Sequence, residues 1–303
     1  MNASLAPELE LQDAHVTIVG LGLMGGSLAL GLKSHVRKLT AVELDRHTRR
    51  MARERDIVQE VTVDLRQGTA EADVIILATP VGAIRQIVEQ LPHWRSRGCY
   101  LLDLGSTKRR ICAAMDAMPR DFVAMGGHPM CGKESSGLAF AEETLYEGQT
   151  FVLCRTKRTN EALEYLALSM LDAVGAVPLF LEAEEHDRLV AKVSHLPYFI
   201  SALLMQQAAA GAEQEKDLWS LSASGFRDTS RLAGSDPLML YDIVETNRDA
   251  ILRELRRYST DFQEVIAMLD SDDDASLRVW LKARQDEHRR YRRAMKSAAR
   301  FGS

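Results

Sequence analysis

The sequence predicts an α/β domain built on a parallel sheet, residues 14–182, followed by an all-helical domain, residues 183–303. Three observations carry that prediction. Short runs rich in Val, Ile and Leu alternate with helical patterns in the first part of the chain. A Gly-X-Gly-X-X-Gly turn joins the first run to the first helix, and beyond about Ala183 the strand signal stops. Strand–helix–strand alternation implies parallel strands with helices on both faces. The 303 residues suffice for two domains of roughly 100–200 residues each.

HVTIVG (15–20), LTAVEL (39–44), DVIILAT (73–79), YLLDLG (100–105) and FVAMGG (122–127) are each of strand length and end in Gly, an acid or Thr-Pro. Between them, MGGSLALGLK and PVGAIRQIVEQL place apolar residues at i, i+3 and i+4, the helical spacing. TFVLCR (150–155) and AVPLFL (176–181) are expected to be two last strands flanking a helix over 160–173. Helical periodicity then runs through 183–211, 237–268 and 273–298. Pro197, Gly211 and the segment SASGFRDTSRLAGSDP (222–237) break it, and the Ser, Gly and Asp content of that segment marks a loop. Asp270 to Asp274 reads as an acidic turn starting the last helix, because acids favour helix N-termini. Arg284, Arg289, Arg290, Arg292, Arg293 and Lys296 follow on that helix and read as a solvated or subunit-pairing face.

Composition narrows the function. With 46% hydrophobic and 27% charged residues and a net charge of -5, the chain has enough apolar content for a core and lacks the basic imbalance of a general nucleic-acid binder. No run approaches the ~20 apolar residues of a membrane span. The start, MNASLAPELELQD, has neither a basic region nor an apolar stretch of the secretory kind, so a cytoplasmic location is expected. Cys99, Cys112, Cys131 and Cys154 are spread singly, which argues for reduced thiols and against a zinc site, and no metal is expected.

The glycine turn reads Gly20-Leu-Gly22-Leu23-Met24-Gly25-Gly26-Ser27. Its position after a strand and before a helix makes it a dinucleotide site: Gly20 for the tight turn, Gly22 for approach to the pyrophosphate, Gly25 for helix–strand packing. The helix N-terminus, with Leu23 and Met24 in its first turn, offers N–H groups and positive dipole to phosphate. Glu43 ends the second strand, where a carboxylate hydrogen-bonds ribose hydroxyls and repels a 2′-phosphate, favouring NAD over NADP. Arg46 and His47 just beyond keep NADP open as the alternative. Thr79 and Pro80 end DVIILATP on the ligand-binding edge, as cofactor wall or simply as a turn.

Two further strand ends carry polar groups to that edge, Asp103-Leu-Gly-Ser106-Thr107-Lys108 and Gly126-Gly127-His128-Pro129-Met130. A neutral imidazole there can take a proton near neutral pH, so His128 is the candidate general base for a hydride-transferring alcohol oxidation. Ser106 is a candidate to hydrogen-bond the same hydroxyl or the nicotinamide amide, or to cap the following helix.

In order and spacing, GLGLMGGS, DLGSTK, GGHPMCGKESSG, SHLPY and SGFRDTSRLAGSDP resemble the prephenate/arogenate (cyclohexadienyl) dehydrogenases of tyrosine biosynthesis, over about residues 15–270. The resemblance implies a Rossmann-like N-terminal domain followed by an all-helical dimerisation domain, and a homodimer acting on a small molecule, with no nucleic-acid or membrane partner. It implies that His128 takes the proton from the ring hydroxyl and that Ser106 bridges hydroxyl, histidine and nicotinamide. By the same resemblance Arg231 grips a substrate carboxylate and Asp228 shares its motif. Glu134 sits near the mouth of the site, and His195, on the long helix between the domains, faces the cleft.

The implied reaction is oxidative decarboxylation of prephenate to 4-hydroxyphenylpyruvate, with arogenate as the alternative substrate. The chain departs from the family pattern at Tyr198, where some members carry a second histidine, at Leu240, where some carry tryptophan, and at Cys131, where alanine is commoner. A fused ACT or chorismate mutase domain is not expected, so inhibition by tyrosine would act at the active site. Two rival readings are a β-hydroxyacid dehydrogenase, for which Lys192 is the candidate lysine, and a nucleotide-binding regulator without activity. The first leaves HPMCGKE and FRDTSR unexplained, and the second predicts loss of His128 or Arg231, both of which are present.

Overall fold

The computed structural model describes residues 9–133, 135–271 and 273–301, so Glu134 lies outside the described residues, as does the side chain of Lys296. The first strand, β1 (His15–Val19), is buried at every position. β-Branched Val16, Thr17, Ile18 and Val19 suit it, because a strand covered on both faces needs no polar alternation. Beside it lie β2 (Lys38–Val42), β3 (Glu60–Thr62), β4 (Val74–Leu77), β5 (Tyr100–Asp103), β6 (Val123–Pro129), β7 (Thr150–Arg155) and β8 (Val177–Phe180). The sheet order is β3-β2-β1-β4-β5-β6-β7-β8.

Every pairing is parallel except β6 with β7. That reversal departs from the parallel sheet expected. Parallel strands need a crossover, usually a helix. The segment between β6 and β7 instead packs on α1 (Leu23–Leu32): the Tyr146 hydroxyl donates to the Met24 carbonyl at 2.8 Å, and Glu142 N–H donates to Ser27 Oγ at 3.0 Å. β3 escapes the sequence reading because it is three residues long and none of them is buried.

The other helices of the sheet domain are α2 (Arg46–Glu54), α3 (Leu65–Thr69), α4 (Val81–Trp94), α5 (Arg109–Asp116) and α6 (Glu161–Ala173). Alternation along the strands divides the core in two: Ile76 and Leu102 join Ile18, Leu28 and Phe151 on one face, while Ile75 and Leu101 join Leu77, Ile84 and Ile111 on the other. α6 begins where the sequence places it, with Asn160 accepting from Leu163 N–H at 2.9 Å as an N-cap.

Among the described residues from Ala183 onward there is no strand; the helices are α7 (Ala183–Val190), a π-helical turn (Ala191–His195), α8 (Leu196–Ala212), α9 (Ser224–Ser230), α10 (Pro237–Asp270) and α11 (Asp274–Phe301). Pro197 does not break the run. It follows directly on the π-helical turn, and that local widening of the helix accommodates a residue that cannot donate the regular backbone bond. Gly211 falls within the last turn of α8. The segment 222–237 is also not a loop throughout, since it holds α9 and a 3-10 turn, Arg231–Gly234, docked by Ala233 N–H on Ser201 Oγ at 2.9 Å. The turn is held by a contact with α8, which local composition does not encode.

One stripe of α10 seats this half on the carboxyl ends of the strands. Asp242 accepts from Gly82 N–H at 2.9 Å, Thr246 and Thr107 share a hydroxyl bond at 2.8 Å, and Asp249 takes Arg109 in two bonds at 2.9 and 2.5 Å. Among the described residues, no helix is long and apolar enough to cross a membrane.

Candidate active site

The glycine loop has the shape a dinucleotide requires. Gly20 lies at φ +97°, a region that favours glycine, and a Cβ there would come within 2.8 Å of the Ala78 carbonyl oxygen. Gly25 packs so closely on β1 and β4 that a Cβ would overlap the Gly20 carbonyl oxygen and reach 2.9 Å from Ala78 Cβ. A Cβ on Gly22 would meet nothing within 4 Å. That open backbone stands at the N-cap of α1, and no side chain caps the helix. Leu23 and Met24 form its first turn, so unpaired N–H groups face this space.

Glu43 lies where the sequence reading puts it and is already engaged. One carboxylate oxygen accepts from Leu21 N–H in the glycine loop and the other from Asp45 N–H, both at 2.8 Å. Arg46 and His47 begin α2 and are exposed. Pro80 is the N-cap of α4, and Thr79 Oγ1 is buried with no protein partner. An orphaned buried hydroxyl on the wall of the cleft is what a cofactor would satisfy. The open Gly22 backbone, the uncapped α1 and Thr79 therefore fit a dinucleotide.

His128 is half-buried near the end of β6. Its Nδ1 lies 2.8 Å from His186 Nε2, and His186 Nδ1 lies 2.8 Å from Asp187 Oδ1. Aspartate only accepts, so His186 donates from Nδ1 and accepts at Nε2. His128 must then donate from Nδ1, which leaves Nε2 bare as a proton acceptor. Burial, with His186, Lys108 and His195 nearby, holds the His128 imidazole well below the usual histidine range. It is therefore neutral at pH 7, with Nε2 free to accept a proton. His186 and Asp187, on α7, complete this chain, and the sequence reading does not single them out. The adjacent His-Asp pair is visible there, but its partner lies 58 positions away.

Asp187 has a second task. It accepts from Lys108 N–H at 2.7 Å and Arg109 N–H at 3.0 Å, capping α5 from the helical half. The cap position belongs to Lys108, so Ser106 takes no part in capping, and that alternative falls. Ser106 sits half-buried in the turn after β5, in the stretch that leads to Lys108.

His195 ends the π turn, buried at 3% exposure. Asn247 donates to the Asp187 carbonyl at 2.7 Å and approaches His195 Nδ1 at 3.4 Å. With Nδ1 accepting, His195 presents Nε2–H as a donor. α10 leaves helical geometry at Asn247, with φ -130° and ψ 26°, a feature no sequence pattern announces. Arg231 and Asp228 are exposed on the segment docked at Ser201, which is about 9 Å along α8 from His195 at 1.5 Å per residue. Tyr198 and Leu240 pack together in a small apolar cluster with Phe199 and Ile243. Burial pushes the Cys131 thiol up to about 11, which leaves it unreactive at neutral pH. Lys192 pairs with Glu254 at 3.6 Å.

The histidines also set a pH dependence of stability. Burial pushes His195 down to about 4 from the ordinary 6.5. Between those values the unfolded chain binds the proton and the native state does not, so stability falls as pH drops through that window. At about 1.4 kcal/mol per unit the loss from His195 alone is about 3 kcal/mol. Urea unfolding at pH 7 and pH 4.5 should show this decline, and His195→Asn should flatten it. An unchanged slope in that variant would mean that His195 titrates normally.

Residues 28–179 match the family model described as prephenate dehydrogenase, nucleotide-binding domain, and residues 182–283 the one described as prephenate dehydrogenase, dimerization domain. The chain is similar, at 30% identity over 284 residues, to the prephenate dehydrogenase of Lactococcus lactis subsp. cremoris (strain MG1363), covering 92% of this chain and 77% of that one. Its structure is similar to Synechocystis arogenate dehydrogenase, with TM-score 0.76 and 30% identity over 91% of this chain and 99% of that one. It is also similar to A. aeolicus prephenate dehydrogenase in complex with hydroxyphenyl propionate and NAD+, with TM-score 0.83 and 26% identity over 95% of this chain and 100% of that one.

Proposed function

Because the chain belongs to the prephenate dehydrogenase family, we propose that it oxidatively decarboxylates prephenate to 4-hydroxyphenylpyruvate in tyrosine biosynthesis, with NAD as the hydride acceptor. The observation that carries this reading is the His128–His186–Asp187 chain, which leaves His128 Nε2 bare on the ligand edge of the sheet. When bound, the nicotinamide supplies an acceptor for hydride from the ring carbinol carbon.

His128 Nε2 takes the proton of the ring hydroxyl as that carbon is oxidised. Its Nδ1–H stays on His186, and the carboxylate of Asp187 stabilises the charge that develops, as an aspartate behind a catalytic imidazole does. Ser106 orients the hydroxyl. The developing ring ketone draws in the electron pair of the bond to the ring carboxylate, which leaves as carbon dioxide, and the resulting phenolate oxygen takes back the proton from His128 Nε2 to end as a phenol. Aromatisation makes the step effectively irreversible.

Arg231 holds a substrate carboxylate, for which a planar guanidinium fork is suited, with Asp228 beside it in the motif. His195 donates to the substrate from Nε2, and the charge of Glu134 influences which substrate side chain is accepted. Gly20, Gly22, Leu23, Met24 and Gly25 would cradle the diphosphate, Glu43 would hold the ribose, and Thr79 and Pro80 would form part of the cofactor wall. The domains divide between residues 182 and 183, and the enzyme works as a cytoplasmic homodimer paired through its helical half. The four free cysteines suit a reducing compartment.

The likeness to Synechocystis arogenate dehydrogenase supports arogenate as the second reading. The test crosses prephenate and arogenate with NAD and NADP and follows absorbance of the reduced cofactor. Turnover of prephenate with NAD is expected. Turnover of arogenate alone transfers the assignment to that substrate, and no turnover with any pair, in folded protein that binds NAD, overturns it. Glu43→Ser should cost roughly 10–100-fold in kcat/KM with NAD and narrow the gap to NADP, since one ribose hydrogen bond to a charged group is worth about 1.5–3 kcal/mol. An unaltered NAD preference would remove Glu43 from the ribose.

A further inference from the structure

We propose that Asp103 and Lys108, a fully buried ion pair, are positioning residues that hold Ser106 and His128 at their working separation. The proposal rests on the dehydrogenase reading above. Both side chains have no exposure to solvent. A buried pair of this kind is often no more stabilising than an apolar one, so stability alone is a weak reason for its presence.

Its contacts point elsewhere. Asp103 Oδ2 accepts from Gly105 N–H at 2.7 Å, and Oδ1 accepts from Gly127 N–H at 3.1 Å. Lys108 Nζ is paired with Asp103 Oδ2 and donates to the Gly127 carbonyl at 2.6 Å. Gly105 immediately precedes Ser106, and Gly127 immediately precedes His128. One carboxylate thus holds the backbone N–H of the glycine before each of the two residues, across neighbouring strands.

The glycines of both motifs make room for the pair. A Cβ on Gly105 would lie 2.9 Å from Asp103 Oδ2. One on Gly126 would lie 2.7 Å from Cys112 Sγ and 3.2 Å from Lys108 Cδ, and one on Gly127 would lie 2.5 Å from the Asp103 carbonyl oxygen. Preorganisation explains why the fold keeps this arrangement, since misplacing a reacting group by about 1 Å can cost roughly 100-fold in rate.

The ammonium has a second consequence. The groups facing His128 are Lys108 from the start of α5, His186 backed by Asp187 from α7, and His195 from the π turn. Burial is the main cause of the low basicity of His128, and the Lys108 charge adds to it. Removing that charge should let His128 titrate higher.

The experiment uses the full chain and the nearly isosteric neutral double variant Asp103→Asn with Lys108→Met. Steady-state kinetics with prephenate and NAD are run beside 15N NMR titration of the histidines, with the His128 signal identified by its loss in His128→Asn. The double variant should fold, lose roughly tenfold or more in kcat with little change in KM, and shift the His128 titration upward. A folded double variant with wild-type kcat and titration overturns the proposal.

Should the double variant not fold, Lys108→Arg decides. It keeps the charge but not the compact contact, so it should keep the His128 titration and lose kcat, and wild-type kcat there overturns the proposal. If the wild-type protein turns over neither prephenate nor arogenate, the dehydrogenase reading fails, while the NMR shift still reports on Lys108 and His128.

Discussion

Replacing His128 by Asn is expected to lower kcat by about 10²–10⁴-fold, the range a positioned general base supplies. NAD affinity and the thermal midpoint should stay near the wild-type values. Asparagine suits the test because its amide can replace the Nδ1–H that His128 donates to His186, so the buried chain to Asp187 is not orphaned. The pH profile separates a base from a merely structural histidine. The base is active only when neutral, and it is held well below the ordinary histidine range. Activity of the wild-type enzyme should therefore persist below pH 6.5 and fall only as His128 takes up a proton. In His128→Asn that acidic limb should vanish along with most of the rate. A variant that keeps both the rate and the limb would remove His128 from the chemistry.

The second large effect belongs to the glycine loop, where two neighbouring glycines should fail in different ways. Gly25→Ala drives a methyl into the Gly20 carbonyl oxygen and against Ala78 Cβ. Both are anchored in the sheet, so the loop has to lift from β1 and β4. Overpacking of this kind costs about 1–3 kcal/mol. At roughly 2–4 °C per kcal/mol, the thermal midpoint should fall by several degrees, and NAD binding should be lost with the loop geometry. Gly22→Ala meets nothing within 4 Å, and its φ of -72° suits any residue. Its midpoint should not move. Its methyl would occupy the approach of the diphosphate, and the NAD dissociation constant should rise by roughly tenfold or more. Calorimetry and fluorescence titration of both variants check this. Wild-type NAD affinity in Gly22→Ala would place the phosphates elsewhere.

Part of this site is legible in the amino-acid sequence. His128 and Ser106 stand out because each follows a strand whose end is marked by Gly or Asp, and strand ends on one edge of a parallel sheet collect ligands. The glycine loop stands out because tight turns and close backbone approach admit few residue types. The loop character of 222–237 fails for the opposite reason: Ser, Gly and Asp predict a loop locally, yet the segment forms α9 and a 3-10 turn at Arg231, the turn being held on Ser201. A capping role for Ser106 is equally reasonable from its place after a strand, but Asp187, from the other half of the chain, holds those amides.

The sequence by itself determined the strand-and-helix alternation, the change to an all-helical second half, the dinucleotide loop and the two strand ends that carry Ser106 and His128. Each of these rests on a period or a turn chemistry that spans a few residues, and such short-range preferences act wherever the chain happens to be. Tertiary structure decided the reversal of β7, the helical state around Arg231, the kink at Asn247, and the chain from His128 through His186 to Asp187. These depend on groups brought together across distances such as the 58 positions between the two histidines. Contacts of that separation leave no period in the sequence, because they are selected by the packing of α7 and α10 against the sheet edge.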